Sequence, residues 1–271
     1  MANEQPGFEF REVWSDNLEQ EFTLIQEIVD KYTNVAMDTE FPGVVVKPTR
    51  PLNNEETYLF MRTNVGMCKL IQLGLTFSDE NGNHPTCGSK NCCVWQFNFR
   101  DFNLDEDYCN TKSIDLLKKS GIDFKKNRRM GVESEKFGEL LMSSGVVLNE
   151  DICWATFHGG YDFGYLIKLL TGKNLPETQE EFFELMNVFF PIVYDIKHMI
   201  KFHDVLRGGL SNVARTMGIQ RFGVSHQSGS DSLLTCHCFK KLKECSYLNK
   251  PLETYMGRLS NLGVEDVVQN K

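Results

Sequence analysis

Two carboxylates at the end of an apolar run are the first candidates for chemistry. Asp38 and Glu40 lie two residues apart within the predicted strand 34–40, so both side chains would project from the same face. Adjacent carboxylates repel each other unless a cation lies between them, and oxygen ligands suit Mg²⁺ or Mn²⁺. Acid pairs with this spacing arise easily by chance among 37 acidic residues. The position at the end of a strand, where α/β sheets bind ligands, makes this pair a candidate metal site.

Two further aspartates lie where helices are predicted to begin. Asp162 follows a buried apolar run at 152–157 and a glycine pair, and Asp231 opens a long helical pattern at 230–248. An acid in the first turn of a helix also complements the helix dipole, so each aspartate alone is weak evidence for a site. The specific feature is the order along the chain: a strand that ends in two acids, then two helix starts that each carry one.

A histidine in a polar loop completes the set of candidates. His226 precedes Asp231 by five residues. A lone loop histidine is more often solvated than catalytic. Because it lies beside the fourth acid, an imidazole of near-neutral pKa could here accept a proton from water that a metal ion activates.

The hydrophobic pattern predicts the elements that would carry these residues. Apolar and alternating runs predict strands at 34–40, 69–77, 94–99, 152–157 and 192–194. Helical spacing predicts helices at 12–32, 113–120, 134–144, 161–170, 179–189, 196–202, 210–217, 230–248 and 252–262, with a helical turn at 58–63. A hairpin followed by strands that alternate with helices predicts an α/β fold of three layers, with a mixed central sheet and extra C-terminal helices. We expect one domain over residues 1–271.

Composition excludes several classes of protein. The 271 residues are 41% hydrophobic and 24% charged, which excludes a disordered chain, a fibre and a coiled coil. No apolar run approaches the ~18 residues of a transmembrane helix, and the N-terminal residues lack the pattern of a secretory signal. The net charge of −8 provides no global basic field for nucleic acid. If nucleic acid is the ligand, we therefore expect modest affinity, with local positive charge supplied by bound metal ions.

The nine cysteines favour a reducing compartment over a disulfide framework, because their number is odd and the chain is large. Two groups invite comparison with zinc sites: Cys87 with Cys92 and Cys93, and Cys236-His237-Cys238. Neither has the paired spacing of a structural zinc site, so we expect free thiols.

In their order, these motifs resemble the histidine-bearing branch of the DEDD exonuclease superfamily. Three longer segments resemble the CAF-one/POP-two deadenylases within it: 37–43 (MDTEFPG), 157–166 (FHGGYDFGYL) and 226–235 (HQSGSDSLLT). Two shorter groups are also similar: Phe189-Phe190-Pro191 with Tyr194-Asp195, and 207–210 (RGGL). The resemblance runs from about residue 12 to about residue 263, with no departure at an acidic position.

The resemblance implies a ribonuclease-H-like fold and a 3′–5′ exoribonuclease that shortens mRNA poly(A) tails and releases 5′-AMP. It implies two divalent cations, Mg²⁺ or Mn²⁺, held by four carboxylates: Asp38, Glu40, Asp162 and Asp231. His226 would be the general base. Two metal ions can hold the attacking and leaving oxygens of an in-line displacement at phosphorus. Phe41 and Tyr161 flank the acids and could stack on a base, although aromatics beside a strand end are more often core residues.

The resemblance also implies partners. They are poly(A) RNA, the NOT scaffold of a CCR-four–NOT type complex and a second deadenylase with a leucine-rich-repeat domain. The resemblance implies no membrane partner, and it implies a location in cytoplasm and nucleus. Two alternatives stay open: a general DEDD 3′–5′ exonuclease acting on DNA or structured RNA, and an adaptor subunit with residual activity. The complete set of acids argues against an adaptor alone, because a pseudo-enzyme has no need to keep repelling carboxylates together.

Overall fold

A single six-stranded sheet forms the centre of the computed structural model, which describes residues 7–244 and 247–263. Its strands are β1 (Phe8–Val13), β2 (Asn34–Glu40), β3 (Gln72–Ser78), β4 (Cys92–Asn98), β5 (Cys153–Thr156) and β6 (Ile192–Asp195). The spatial order is β1-β4-β3-β2-β5-β6. Strands β2, β3 and β4 pair antiparallel, whereas β1 is parallel to β4, and β5 and β6 continue in parallel from β2. The predicted mixed sheet is confirmed.

Helices cover both faces of this sheet. They are α1 (Leu18–Ile28), α2 (Asn54–Met67), α3 (Thr111–Lys119), α4 (Phe124–Met130), α5 (Ser134–Met142), α6 (Gly160–Thr171), α7 (Gln179–Phe189), α8 (Ile196–Met199), α9 (Leu210–Thr216), α10 (Ser228–Glu244) and a 3₁₀ helix at Leu252–Tyr255. Within the described ranges, none of them combines the length and the apolar character needed to cross a bilayer.

Strand β2 shows how the sheet separates two hydrophobic cores. Val35 and Met37 belong to the larger core, which the sheet forms with α1, α2, α5, α6 and α7. Ala36 belongs to the second core, which includes residues of α8, α9 and α10. Because side chains alternate along a strand, Asp38 and Glu40 lie on the same side as Ala36, towards α10. Two cores on opposite faces of one sheet confirm the predicted three layers.

The N-terminal region differs from the prediction. The spacing predicts one helix from 12 to 32, whereas β1 runs through Val13 and α1 begins only at Leu18. Apolar and polar residues alternate from Phe8 to Arg11, and the pairing of the whole strand with β4 outweighs the helical pattern. The predicted turn at 58–63 is the centre of the longer helix α2, which a capping box at Asn53 starts.

Two helical regions also differ. Helix α4 was not predicted, because its sequence FKKNRRM has no apolar stripe; the Asp123 side chain starts it by accepting from the backbone N–H groups of Lys125 and Lys126. The helix predicted at 252–262 is only the short 3₁₀ turn. The helix predicted at 230–248 corresponds to α10, and its positions 245–246 lie outside the described residues.

Candidate active site

The carboxyl end of β2 places two acids against the start of α10. Asp38 is paired with Gly74 of β3, and Glu40 is paired with Gln72. Since Gly74 has no side chain, the backbone at Ser228 approaches the sheet directly beside Asp38. Both acids are half-buried. No hydrogen bond reaches the carboxylate of either acid from residues 7–244 or 247–263, so both retain free oxygen lone pairs.

Asp162 lies in the first turn of α6 and is held rigidly by β2. Its Oδ1 accepts hydrogen bonds from the Thr39 backbone N–H at 2.9 Å and from the Thr39 hydroxyl at 2.5 Å. The turn before α6 is fixed by Asp195, at the end of β6, which accepts from the backbone N–H groups of His158 and Gly159 at 2.8 and 3.2 Å. Strands β2 and β6 therefore position this third acid from two sides.

Asp231 lies in the first turn of α10 and connects two groups. Its Oδ2 accepts from the His226 backbone N–H at 2.8 Å, and its Oδ1 lies 2.7 Å from a guanidinium nitrogen of Arg221. Arg221 also donates to the hydroxyls of Ser230 and Ser211. The fourth acid thereby tethers the histidine loop, while Arg221 supplies a positive charge at the edge of the acidic cluster.

His226 lies at the open side of the cluster. Its Nδ1 is 4.0 Å from Glu40 Oε1, and its side chain is 46% exposed. Its backbone is left-handed, with φ 64°, a conformation that few non-glycine residues adopt. Ligand atoms of Glu40, His226 and Asp231 all lie within 4.8 Å of one another.

The pKa values of the carboxyl groups show that burial and mutual repulsion destabilise their charged forms. Burial, followed by the charges of Asp231, Glu40 and Asp162, raises the pKa of Asp38 well above its ordinary value. Burial, followed by the charges of Asp231 and Asp162, raises the pKa of Glu40 to about 8. Burial raises the pKa of Asp162 to about 7, although the hydrogen bonds from Thr39 oppose this shift.

Divalent cations fit this set of donors. Several carboxylates converge on one space, two of them lack hydrogen-bond donors among the described residues, and their mutual repulsion raises the pKa values. A cation bound between them would remove that repulsion, and hard oxygen ligands select Mg²⁺ or Mn²⁺. The arrangement can therefore support metal-assisted hydrolysis of a phosphate ester.

The structure thus brings the four predicted acids and His226 together and adds three residues to which sequence analysis assigned no role. Arg221 pairs with Asp231, Thr39 holds Asp162, and Asp195 fixes the turn before it. Asp195 ends an apolar strand and belongs to the Tyr194-Asp195 group, and Thr39 lies within the segment 37–43, so both lie in segments that resemble the family. Arg221 had no sequence signal. The role of each residue is defined only by its tertiary contacts.

The two aromatic residues proposed for base stacking lie face to face. The rings of Phe41 and Tyr161 are 5.0 Å apart at an interplanar angle of 14°, and Tyr165 lies against Phe41. Both are half-buried and pack on the larger core. One face of each ring is therefore occupied by the other ring, so any base would have to use the opposite faces.

The cysteine groups form no metal site among the described residues, where the only cluster of potential ligands is the acidic one with His226. The eight cysteines within these ranges are free thiols. Cys87 and Cys93 share a hydrogen bond, which lowers the pKa of Cys93 and raises that of Cys87. His237, between two cysteines, packs instead on the rings of Phe8 and His84.

Known proteins are similar to this chain in sequence and in structure. The "probable CCR4-associated factor 1 homolog 10" of Arabidopsis thaliana is 59% identical over 258 residues, covering 94% of this chain and 93% of that protein. The "Poly(A) ribonuclease pop2" of Schizosaccharomyces pombe is 45% identical over 258 residues, covering 93% of this chain and 75% of that protein. A solved structure of S. pombe Pop2p, described as the Mg²⁺ and Mn²⁺ bound form, superposes with a TM-score of 0.86 at 43% identity, covering 93% of this chain and 99% of that chain.

A third relative was solved in a complex. Yeast CAF1, co-crystallized with the NOT1 MIF4G domain, superposes with a TM-score of 0.77 at 32% identity, covering 93% of this chain and 96% of the matched chain. These superpositions confirm the ribonuclease-H-like fold. The sequence profile described as "CAF1 family ribonuclease" matches residues 13–136 and 154–239. The chain belongs to the CAF1 family of ribonucleases.

Proposed function

We propose that this protein is a 3′–5′ exoribonuclease that shortens poly(A) tails by hydrolysing the terminal phosphodiester bond and releasing 5′-AMP. The observation that carries the proposal is the convergence of acids from β2, α6 and α10 on one space beside His226. Membership of a ribonuclease family supplies the substrate class. The name of the S. pombe relative, Poly(A) ribonuclease, supports the preference for adenosine tails.

Four side chains would hold the two divalent cations: Asp38, Glu40, Asp162 and Asp231. When bound, the cations supply charge stabilisation for the attacking and leaving oxygens. Thr39 keeps the Asp162 carboxylate turned towards the site. The Mg²⁺ and Mn²⁺ described for the S. pombe structure support this choice of metal.

His226 is the group we assign to proton transfer. Its imidazole accepts the proton of the attacking water, because it is exposed at the mouth of the cluster and borders the oxygen ligands. Its Nδ1 lies 4.0 Å from Glu40 Oε1, which is too far for a direct hydrogen bond, so Glu40 does not occupy this ring nitrogen. The hydrogen bond from its backbone N–H to Asp231 keeps the ring beside the metal ligands.

The protein acts as a catalytic subunit of a CCR-four–NOT type complex, with the NOT scaffold as its docking partner. The complex of yeast CAF1 with the NOT1 MIF4G domain supports this assignment, because that CAF1 chain matches nearly all of the present chain. A second deadenylase with a leucine-rich-repeat domain, and a location in both cytoplasm and nucleus, belong to the same proposal and rest on the family resemblance. The proposal also includes a single exonuclease domain, because strands from both halves of the chain form one sheet.

The decisive experiment is digestion of a 5′-labelled RNA with a 3′ adenosine tail, with Mg²⁺, with Mn²⁺ and with EDTA. A ladder that shortens from the 3′ end only with metal is expected. The same RNA with a mixed-sequence tail, and a DNA of the same sequence, are the controls. Equal digestion of all three substrates would favour a general exonuclease, and no digestion by protein that binds the metal would favour an adaptor.

A further inference from the structure

A surface cavity lies next to the catalytic loop and has no role in the chemistry described above. Its volume is about 460 Å³, and its lining includes Gln227, which follows His226, and Ser230, which precedes Asp231. The sheet supplies one wall, and the connection from α3 to α4 supplies the opposite wall. A cavity of this size is within the range of small-ligand pockets.

Hydrogen bonds join the two walls to the catalytic loop. Gln227 Oε1 accepts from the side chains of Gln72 and Gln96, and Gln227 Nε2 donates to the carbonyl of Ser120 in the α3–α4 connection. Gln72 also donates to Asn98. The residue that follows His226 is therefore bonded to both walls, and the cavity and the catalytic loop form one continuous structure.

The segment that contains the α3–α4 wall carries a concentration of positive charge in an acidic protein, although only Lys126 of its basic residues lines the cavity itself. Residues 118–129, here named the basic segment, contain six lysines and arginines and one acid, whereas the whole chain has a net charge of −8. Five of the basic residues are exposed and form no ion pair within 7–244 and 247–263. Arg128 donates a hydrogen bond to the Arg100 carbonyl, and the other four are Lys118, Lys119, Lys125 and Arg129. Charge of this kind favours a polyanionic ligand.

Helix dipoles do not account for this charge. Lys118 and Arg129 lie in the last turns of α3 and α4, where a cation is favourable. Lys125 and Lys126, however, lie in the first turn of α4, where the dipole opposes positive charge. Lys126 is half-buried and lies near Trp14 and Glu12, whereas Lys125 is exposed, so the charge of Lys125 opposes the dipole without a partner among the described residues that offsets it.

The cavity also contains an aromatic side chain of the kind that contacts single-stranded nucleic acid. Trp14 lines it and is half-buried, and Lys126 Nζ lies 4.0 Å from the centre of its ring. Positive grooves with aromatic side chains are the common way to bind a single strand without reading its bases. Trp14 provides the aromatic part inside the cavity, whose charged lining residues are Glu12, Asp123 and Lys126, and the basic segment provides positive charge beside the cavity.

We infer that the cavity and the basic segment bind the RNA strand on the 5′ side of the scissile phosphodiester. The inference rests on the proposed function: a 3′ exonuclease holds the chain end at the catalytic acids, so any further contact with the strand is on its 5′ side. Phosphates bind Lys118, Lys119, Lys125 and Arg129, and a base enters the cavity at Trp14. The surface gives an acidic protein a local, salt-dependent affinity for long substrates.

The first test measures binding without hydrolysis. A variant with Lys118→Gln, Lys119→Gln, Lys125→Gln and Arg129→Gln is compared with a control that removes four exposed lysines outside the cavity and the segment: Lys31→Gln, Lys90→Gln, Lys173→Gln and Lys250→Gln. Anisotropy of a labelled oligoadenylate of about 20 nucleotides is followed in EDTA at several salt concentrations. The segment variant should bind about tenfold more weakly, and its salt slope should fall by about 0.7 for each lost phosphate contact. Equal effects in both variants would overturn the inference.

The second test separates this surface from the catalytic centre. The ratio of kcat/KM for the same oligoadenylate to kcat/KM for a trinucleotide should fall in the segment variant and stay at the wild-type value in the control. An unchanged ratio in the segment variant would overturn the inference. Wild-type protein that binds the oligoadenylate through the segment but releases no nucleotide would support this surface and contradict the proposed function.

Tryptophan fluorescence provides a third, local readout. Of the three tryptophans in the chain, Trp95 and Trp154 are 0% exposed, so quenching by a bound base should come from Trp14. The oligoadenylate should quench wild-type emission, and the Trp14→Phe variant should lose this quenching. Quenching that persists in Trp14→Phe would place the base elsewhere and contradict the role of the cavity.

Discussion

Gly74 on β3 is in direct contact with the backbone of Ser228 at the start of α10. A Cβ at Gly74 would lie 2.0 Å from the Ser228 carbonyl oxygen and 2.6 Å from the following nitrogen, distances that no side chain can occupy. Gly74 is also the cross-strand partner of Asp38. The absence of one side chain therefore lets α10 bring Asp231 to the acids of β2.

We expect Gly74→Ala to separate these acids. The methyl group must displace the start of α10, so activity should fall by more than tenfold and unfolding should become easier by about 1–3 kcal/mol. Gly66→Ala in α2 is the matched control, because its Cβ would meet nothing closer than 3.6 Å and alanine favours a helix. Thermal melts and nuclease rates of both variants test this. Normal activity in Gly74→Ala would show that the close approach does not position the site.

Removal of the charge from the β2 acids should reduce activity without reducing stability. Asp38→Asn and Glu40→Gln should each reduce turnover by orders of magnitude, since each removes a proposed metal ligand. The metal-free melting temperature should stay level or rise, because these carboxylates repel their neighbours. Asp231→Asn is the contrasting variant: it removes the carboxylate that pairs with Arg221, whose remaining partners are neutral hydroxyls, and should lower the melting temperature. A large loss of stability in Asp38→Asn would indicate a structural role for the acid.

The metal-free protein should lose stability as the pH rises. The folded-state pKa of Glu40 is raised to about 8, above its ordinary value of 4.5, so the folded protein keeps a proton that the unfolded chain releases. The stability from that proton is complete below about pH 4.5 and is lost as the pH rises to about 8. Melting temperatures measured in EDTA across this pH range test the direction of the change, and Glu40→Gln should weaken the dependence of the melting temperature on pH. Addition of Mg²⁺ should raise the melting temperature more at the alkaline end, where protons no longer compete for the carboxylates.

His226 should be required for rate but not for metal affinity. His226→Asn is the informative variant, because asparagine tolerates the left-handed backbone at φ 64° and keeps the N–H that binds Asp231. Turnover should fall by about 10²–10⁴-fold, and the acidic limb of the pH–rate profile should flatten. Calorimetric titration with Mn²⁺ should show wild-type affinity. A parallel loss of metal binding would instead make His226 a ligand.

The type of fold and the positions of the acids on their strands and helices could be predicted from local sequence. Asp38 and Glu40 share a face because the period of a strand is two, whatever the strand packs against. Asp162 and Asp231 follow recognisable turns and begin helices that the apolar pattern predicts. The mixed sheet with helices on both sides also follows from the order of strand and helix patterns. Strand β1 was missed because a short alternating segment becomes a strand only when β4 is there to pair with it.

Which side chains and backbone groups come into contact depends on the tertiary structure and could not be predicted from the sequence. The contact between Gly74 and Ser228 joins residues that are far apart in the sequence, and no local pattern specifies it. The same holds for the pairing of Arg221 with the fourth acid, for the raised carboxyl pKa values, and for the cavity beside the catalytic loop. The physical reason is that charge interactions, burial and close packing depend on distances in space, whereas sequence patterns report only which face of its own element a residue occupies.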